Sequence, residues 1–145
     1  MAITTYCTVS DIEGWFPGVT FSTSTKIKLA KVESLIERHS ATIDNRLSKA
    51  YTVPITGEYS LSVVKEICEY MTIADVNDIV KQGLGKHSDR QNPTDYRKLA
   101  EDKLAAIISG KVELTDANAK ESYDFYSYNY SNDVEATIDK DKEQW

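Results

Sequence analysis

The stretch that decides the fold is residues 24–54, STKIKLAKVESLIERHSATIDNRLSKAYTVP. Apolar or small residues recur in it at steps of three, four and seven, which places one stripe along a helix. These residues are Leu29, Val32, Ile36, Ile43, Leu47 and Ala50. Ser24 has the side chain of an N-cap and Pro54 prevents continuation, so we predict one long helix. At roughly 40 Å it would exceed what a small domain can cover, and part of its stripe is expected to meet other elements or subunits.

Three further helical patterns and a C-terminal arm complete the predicted architecture, which is an all-α bundle of about four helices around one long central helix. Boundary signals such as N-cap side chains and terminal glycines delimit the three patterns. The patterns are residues 9–16 after the N-cap Thr8, residues 62–82 closed by Gly83, and residues 93–109 between the N-cap Asn92 and the stop at Gly110. Val112 and Leu114 are expected to pack on the body of this bundle.

Length and composition indicate a single soluble domain. The chain has 145 residues, of which 41% are hydrophobic and 28% charged, and these are ordinary values for a globular protein. No apolar run is long enough to span a membrane, and the N-terminal residues lack the pattern of a secretory signal. Because only Cys7 and Cys68 occur, we expect two reduced thiols rather than a metal site or a disulfide.

Negative charge is concentrated at the C-terminus. Residues 1–110 contain 13 Lys and Arg against 14 Asp and Glu, whereas residues 111–145 contain 4 against 9. The body is therefore almost neutral and the C-terminal segment carries a net charge of −5. Since phosphate backbones require a concentrated positive field, binding to free nucleic acid is not expected.

The C-terminal segment contains an unusual cluster of aromatic residues among Ser, Asp and Asn. Its members are Tyr123, Phe125, Tyr126, Tyr128 and Tyr130. The alternation at its end favours an extended conformation over a helix. One interpretation is a tail with incidental aromatic residues. The other is a strap that binds a partner, because aromatic side chains bury a large area with few rotatable bonds.

No residue pattern predicts catalysis, a metal site or a cofactor. His39 lies in the long helical pattern and His87 in a polar loop, and neither forms a metal-binding motif, so both are assigned to the surface or to packing. The GLGK sequence at 83–86 lacks the length and the following Ser or Thr of a phosphate-binding loop. Carboxylates on the helices alternate with Lys and Arg, as expected of solvated faces.

The order and spacing of several residues resemble the head–tail connector, or adaptor, proteins of tailed bacteriophages. Residues 6–12 are similar to the family's opening Y-x-T-x-x-D pattern, which includes Asp11. The strongest likeness is to the motif I-D-x-x-L…Y-x-x-P, and the last helix and its stop are also similar. The residues that carry these two likenesses are Ile43, Asp44, Leu47, Tyr51 and Pro54, followed by Tyr96 and Gly110. Together the resemblance spans residues 6–114.

The resemblance implies a non-enzymatic helical connector domain, residues 1–114, followed by an acidic arm, residues 115–145, that matches nothing in the family pattern. It implies a homo-oligomeric ring, commonly twelvefold, between the portal protein and the tail-side (stopper) neck proteins of a virion. Such a protein resides in the host cytoplasm before assembly, where it can be a monomer. It has no cofactor and no membrane partner, and DNA passes through it without specific contacts.

Two alternatives from other classes remain open at this point. One is a small helical regulator that binds DNA, which the neutral body and the acidic tail disfavour. The other is a helical enzyme with an unrecognised site, which the lack of convergent His, Cys or carboxylate residues disfavours.

Overall fold

Four α-helices form the part of the protein that the structure, a computed structural model, describes, namely residues 4–84 and 95–120. The helices are α1 (Val9–Glu13), α2 (Leu29–Leu47), α3 (Glu58–Leu84) and α4 (Tyr96–Ile108). Helices α2, α3 and α4 pack against one another, and the short α1 packs on α2 and α3. The described residues contain no β-strand, only one isolated antiparallel bridge between Tyr51 and Ala119. The predicted small all-α bundle is therefore confirmed.

The bundle does contain one long helix, but it is α3, with 27 residues, and not the stretch 24–54. Helix α2 has only 19 residues and begins after Lys28, so the prediction that Ser24 is its N-cap is wrong. The Thr25 hydroxyl instead donates to the carbonyl oxygens of Ser22 and Ile27, at 2.9 and 2.6 Å. Local side-chain hydrogen bonds of this kind compete with helix formation, which explains the late start.

The apolar stripe of α2 is covered by the protein's own helices. Five of its large apolar residues are buried in one core cluster with residues of the other helices, and Leu29 at its start is partly buried against that cluster; the five are Val32, Leu35, Ile36, Ile43 and Leu47. Because α2 is about 28 Å long rather than 40 Å, no surplus stripe is left on it. The stripe of α2 therefore meets other elements of the same chain, which is one of the two predicted outcomes.

The ends of the other helices differ from the prediction by a few residues. Helix α1 stops at Glu13, and α3 continues through Gly83 to Leu84. Asp95, and not Asn92, is the N-cap of α4, because its side chain accepts a hydrogen bond from the backbone N–H of Lys98 at 3.1 Å. The first residue of a helix depends on which of several possible N-cap side chains can form its hydrogen bond in the folded protein.

Candidate functional site

Residues 115–120, here called the arm root, are attached to the body beside the loop between α2 and α3. The Thr52 N–H donates to the Asn118 carbonyl at 2.7 Å, and the Lys120 N–H donates to the Ala50 carbonyl at 2.8 Å. These bonds flank the antiparallel bridge between Tyr51 and Ala119. The arm root is therefore fixed to the body as far as Lys120.

Asp116 of the arm root caps the N-terminus of α3, although 57 residues separate it from the first residue of that helix it contacts. Its carboxylate accepts hydrogen bonds from the backbone N–H groups of Tyr59 at 2.8 Å and Ser60 at 2.9 Å, and also from the Ser60 hydroxyl. The Ser60 hydrogen bonds keep the pKa of Asp116 below its usual range. A carboxylate satisfies the orphan donors and the positive end of the helix dipole, so this contact ties the arm root to α3.

Gly57 is required where Asp116 reaches α3. Its φ is +103°, in a region that side chains disfavour and that glycine adopts readily. A Cβ at this position would lie 2.5 Å from Cγ of Asp116 and 2.6 Å from its backbone oxygen. The absence of a side chain at Gly57 therefore makes room for the cap.

Tyr51 links the arm root to the hydrophobic core. The Tyr51 side chain is buried, and its hydroxyl accepts a hydrogen bond from the buried N–H of Leu114 at 3.2 Å. Leu114 itself is buried, as predicted, whereas Val112 is 38% exposed and contacts the body only at the groove between α3 and α4 described below. Tyr51 thus holds both the chain entering the arm root and, through the bridge, the chain leaving it.

A buried hydrogen-bond network joins the two sequence motifs that carry the phage-connector resemblance. The Tyr6 hydroxyl donates to the Asp44 carboxylate and accepts from the Ile55 N–H at 2.9 Å. Burial and the bond to Asp44 raise the pKa of Tyr6 well above its ordinary value. Because Ile55 lies near the end of the loop between α2 and α3, these two bonds hold that loop and α2 to the same tyrosine.

The remaining residues of the family pattern have structural roles as well. Asp11 and Thr8 form a capping box on α1, with the Thr8 N–H donating to Asp11 at 2.8 Å, and Lys65 of α3 contacts the same carboxylate at 2.9 Å. Gly110 has φ +79° directly after the C-cap of α4, as predicted from its position. Tyr96 lies in an aromatic cluster with Trp15 and Tyr70 whose ring centroids are 5.5–5.9 Å apart.

An apolar groove of about 350 Å³ lies between α3 and α4. Its apolar lining consists of Tyr59, Val63, Leu99, Ala106, Ile107 and Val112. Three of these, Tyr59, Leu99 and Val112, are among the six large hydrophobic residues exposed in the described part of the chain. The groove is therefore the place where exposed apolar surface is concentrated, which is a feature of interaction sites.

The rim of this groove is charged. Glu66, Asp102 and Lys103 stand at its edge. The Lys103 ammonium pairs with Glu66 at 3.1 Å, and the Tyr70 hydroxyl donates to the same carboxylate at 2.7 Å. The bond to Tyr70 keeps the pKa of Glu66 below its usual range, so this carboxylate is ionised and already paired with Lys103 and Tyr70.

The sequence pattern of the last helix places Leu99 in one apolar stripe with Leu104 and Ile107 and does not predict a groove. Leu104 and Ile107 are buried, but Leu99 is 38% exposed. At about 100° per residue, Leu99 is turned about 140° from Leu104. This angle was the signal in the sequence, because a stripe wider than the core face indicates a second apolar surface.

Asp75 on α3 is the centre of the largest cluster of charged side chains in the described residues. His39 Nε2 lies 2.7 Å from its carboxylate, and Arg38 and Arg97 contact it at 2.5 and 2.7 Å. Burial lowers the pKa of His39 by more than the neighbouring Asp75 raises it. Burial raises the pKa of Asp75, but the bonds from His39 and Arg97 outweigh it and leave that pKa below its usual range. The cluster clamps α2, α3 and α4 together, in agreement with a packing role for His39.

The two cysteines are free thiols, as predicted, and they lie side by side in the core. The Sγ atoms of Cys7 and Cys68 are 3.3 Å apart, and both residues are buried. Cys7 donates its proton to Cys68, and this hydrogen bond together with burial raises the pKa of Cys7. The pair therefore packs the N-terminal segment against α3.

Several predicted features lie outside the described residues, including His87 and the aromatic cluster from Tyr123 to Tyr130.

Within residues 4–84 and 95–120, no group of His, Cys, Asp and Glu side chains is arranged to hold a metal ion. None of the helices in those two ranges has the length and apolar character needed to cross a bilayer.

Fold and site define a small helical protein with an exposed apolar groove and a C-terminal arm anchored at its root. No known protein family matches the chain, and no curated protein or solved structure matches it either.

Proposed function

We propose that this protein is a structural head–tail connector of a tailed bacteriophage. It assembles as a ring between the portal and the tail-side neck proteins, resides in the virion neck, and occupies the host cytoplasm before assembly. DNA passes through the ring without specific contacts. The slight negative charge of the body fits this, because the body offers the phosphates no concentrated positive field.

The observation that carries the proposal is that residues of the family pattern make contacts between segments far apart in the sequence. Tyr6 bonds Asp44 of α2 and the Ile55 N–H of the α2–α3 loop, and in a separate contact Tyr51 accepts from the Leu114 N–H next to the arm root. These two contacts hold the α2–α3 loop and the start of the arm root against the body. A connector needs such a body, because its arm must leave from a fixed point to reach a neighbour.

The test is binding to DNA-filled heads that carry the portal protein encoded by the same genome. Purified full-length chain and a variant ending at Lys120 are sedimented with these heads. The cut falls after Lys120 because Asp116 and the arm-root hydrogen bonds belong to the folded body. A variant ending at Asn132 is the matched control, since it loses 13 C-terminal residues but keeps the aromatic cluster.

We expect the full chain and the variant ending at Asn132 to bind heads, and the variant ending at Lys120 to bind at least tenfold more weakly, about 1.4 kcal/mol. Equal binding of all three would move the interface from the arm to the helices. If the full chain binds no head, portal or tail component, the connector function is wrong.

A further inference from the structure

We propose that Cys7 and Cys68 form a redox-sensitive lock, in which a peroxide converts the two thiols into a disulfide. The bond ties the N-terminal segment, residues 4–8, to helix α3. The modified site is the thiol pair, and the co-reactant is hydrogen peroxide. This proposal goes beyond the connector function and does not rest on it, because it concerns the fold of a single chain.

The first argument is the placement of the two sulfur atoms. They are 3.3 Å apart, although the residues are 61 positions apart in the sequence. A disulfide bond is about 2.0 Å long, so the sulfur atoms must approach each other by about 1.3 Å. Cys7 lies before α1 and outside any helix, and it can supply this movement without distorting α3. The bond is therefore within reach of the native fold.

The second argument is that the chain offers neither thiol another cysteine. Cys7 and Cys68 are the only two cysteines of the sequence. Both are buried, with 3% and 0% of their surface exposed, so a disulfide between two chains would require both chains to unfold locally. A molecule as small as hydrogen peroxide needs only a slight opening of residues 4–8 to reach the pair. Burial therefore directs oxidation to the bond within one chain.

The third argument is the unequal surroundings of the two thiols. The hydrogen bond from Cys7 keeps the pKa of Cys68 below its ordinary value although Cys68 is buried, and the Ser40 hydroxyl, 3.5 Å from its Sγ, acts in the same direction. Cys7 donates that hydrogen bond and has a raised pKa. Since the thiolate is the reactive form of cysteine, Cys68 attacks the peroxide and Cys7 then closes the disulfide.

The reaction balances without any further reagent. The Cys68 thiolate attacks one oxygen of hydrogen peroxide, so that an S–O bond forms and the O–O bond breaks. The hydroxide that leaves takes up the proton lost by Cys68 and becomes water. The Cys7 sulfur then attacks the Cys68 sulfenic acid, and an S–S bond replaces the S–O bond. The Cys7 proton leaves with the hydroxyl group as a second water, and the two electrons lost by the sulfur atoms are gained by the peroxide.

The disulfide would strengthen contacts that the N-terminal segment already makes. Tyr6 directly precedes Cys7 and bonds Asp44 of α2 and the Ile55 N–H of the α2–α3 loop. A covalent bond at Cys7 therefore holds this tyrosine in place. Joining residues so far apart in the sequence also lowers the conformational entropy of the unfolded chain. The oxidised chain should for both reasons be more stable than the reduced chain.

The first test identifies the product of oxidation in the full chain. The protein is reduced with dithiothreitol, freed of the reductant and treated with hydrogen peroxide. Remaining thiols are then blocked with N-ethylmaleimide in denaturant, and the chain is digested without reduction and analysed by mass spectrometry. We expect a peptide that joins Cys7 to Cys68 and no maleimide adduct. Two maleimide adducts per chain, sulfinic or sulfonic acids instead of the disulfide, or disulfide-linked dimers would each overturn the proposal.

Thermal unfolding of the oxidised and the reduced chain tests the lock itself. We expect oxidation to raise Tm by about 5–15 °C, and dithiothreitol, which reduces disulfides but not methionine sulfoxide, to reverse the rise. Cys7→Ala is the matched control, and the same peroxide should not raise its Tm. An unchanged or lower Tm of the oxidised parent, or an equal rise in Cys7→Ala, would contradict the proposal. The reversal by dithiothreitol is measured on the parent chain and does not depend on how well Cys7→Ala folds.

Discussion

Replacing Tyr6 with phenylalanine removes a single oxygen atom that makes two hydrogen bonds in the core. The hydroxyl donates to the Asp44 carboxylate and accepts from the Ile55 N–H at 2.9 Å. A hydrogen bond to a charged group contributes about 1.5–3 kcal/mol, and a buried N–H left without an acceptor costs about 1–3 kcal/mol. Since Asp44 is only partly buried and can recover water, we expect Tyr6→Phe to lower the free energy of unfolding by about 2–4 kcal/mol.

Urea unfolding followed by circular dichroism measures this loss, with an unchanged m-value showing that the denatured state is unaltered. Tyr59→Phe is the matched control, because Tyr59 is 51% exposed, and we expect it to change stability by at most about 0.5 kcal/mol. A double-mutant cycle with Asp44→Asn should give a coupling energy of at least about 1 kcal/mol. If Tyr6→Phe costs no more than the Tyr59 control, the network does not stabilise the loop and the reasoning is refuted.

Gly57→Ala should destabilise the protein by more than about 1 kcal/mol, and by more than Gly18→Ala, because both have positive φ but only Gly57 faces Asp116. Equal thermal shifts for the two variants would contradict the close approach. Stability should also fall between pH 7 and pH 5.5, because the pKa of His39 is lower in the folded state and the unfolded chain takes up the proton near its ordinary pKa of about 6.5. His39→Gln should flatten this dependence in urea titrations at each pH, and an unchanged slope would assign it to another group.

Helix number and several helix ends could be predicted because their signals are local. The capping box of Thr8 and Asp11 spans three residues, and Gly110 ends α4 through its own backbone conformation. The start of α2 could not be predicted, because Ser24 is a good N-cap in isolation. In the structure the Thr25 hydroxyl instead bonds the carbonyl oxygens of Ser22 and Ile27, which delays the start of the helix. Helix propensities do not rank such alternative hydrogen bonds.

The candidate site was predicted only in part. The aromatic segment is visible in the sequence as a departure from ordinary composition, and it remains a prediction because it lies outside the described residues. The groove was not predicted because Leu99 was taken as part of one helical stripe and Val112 as a residue that packs on the body. Their exposure depends on how α3 and α4 are placed relative to each other, and that placement is decided by the whole core.

The sequence by itself determined the helical class, the neutral body with its acidic arm, and the local caps, because periodicity, composition and capping act over one or two helical turns. Only the tertiary structure decided that Asp116 caps a helix 57 residues away, that Tyr6 joins Asp44 to Ile55, and that His39 pairs with Asp75. These partners are remote in the chain, and only the packing of the helices brings them into contact. Short-range interactions therefore determine the helices, and the packing of those helices determines which remote residues come into contact.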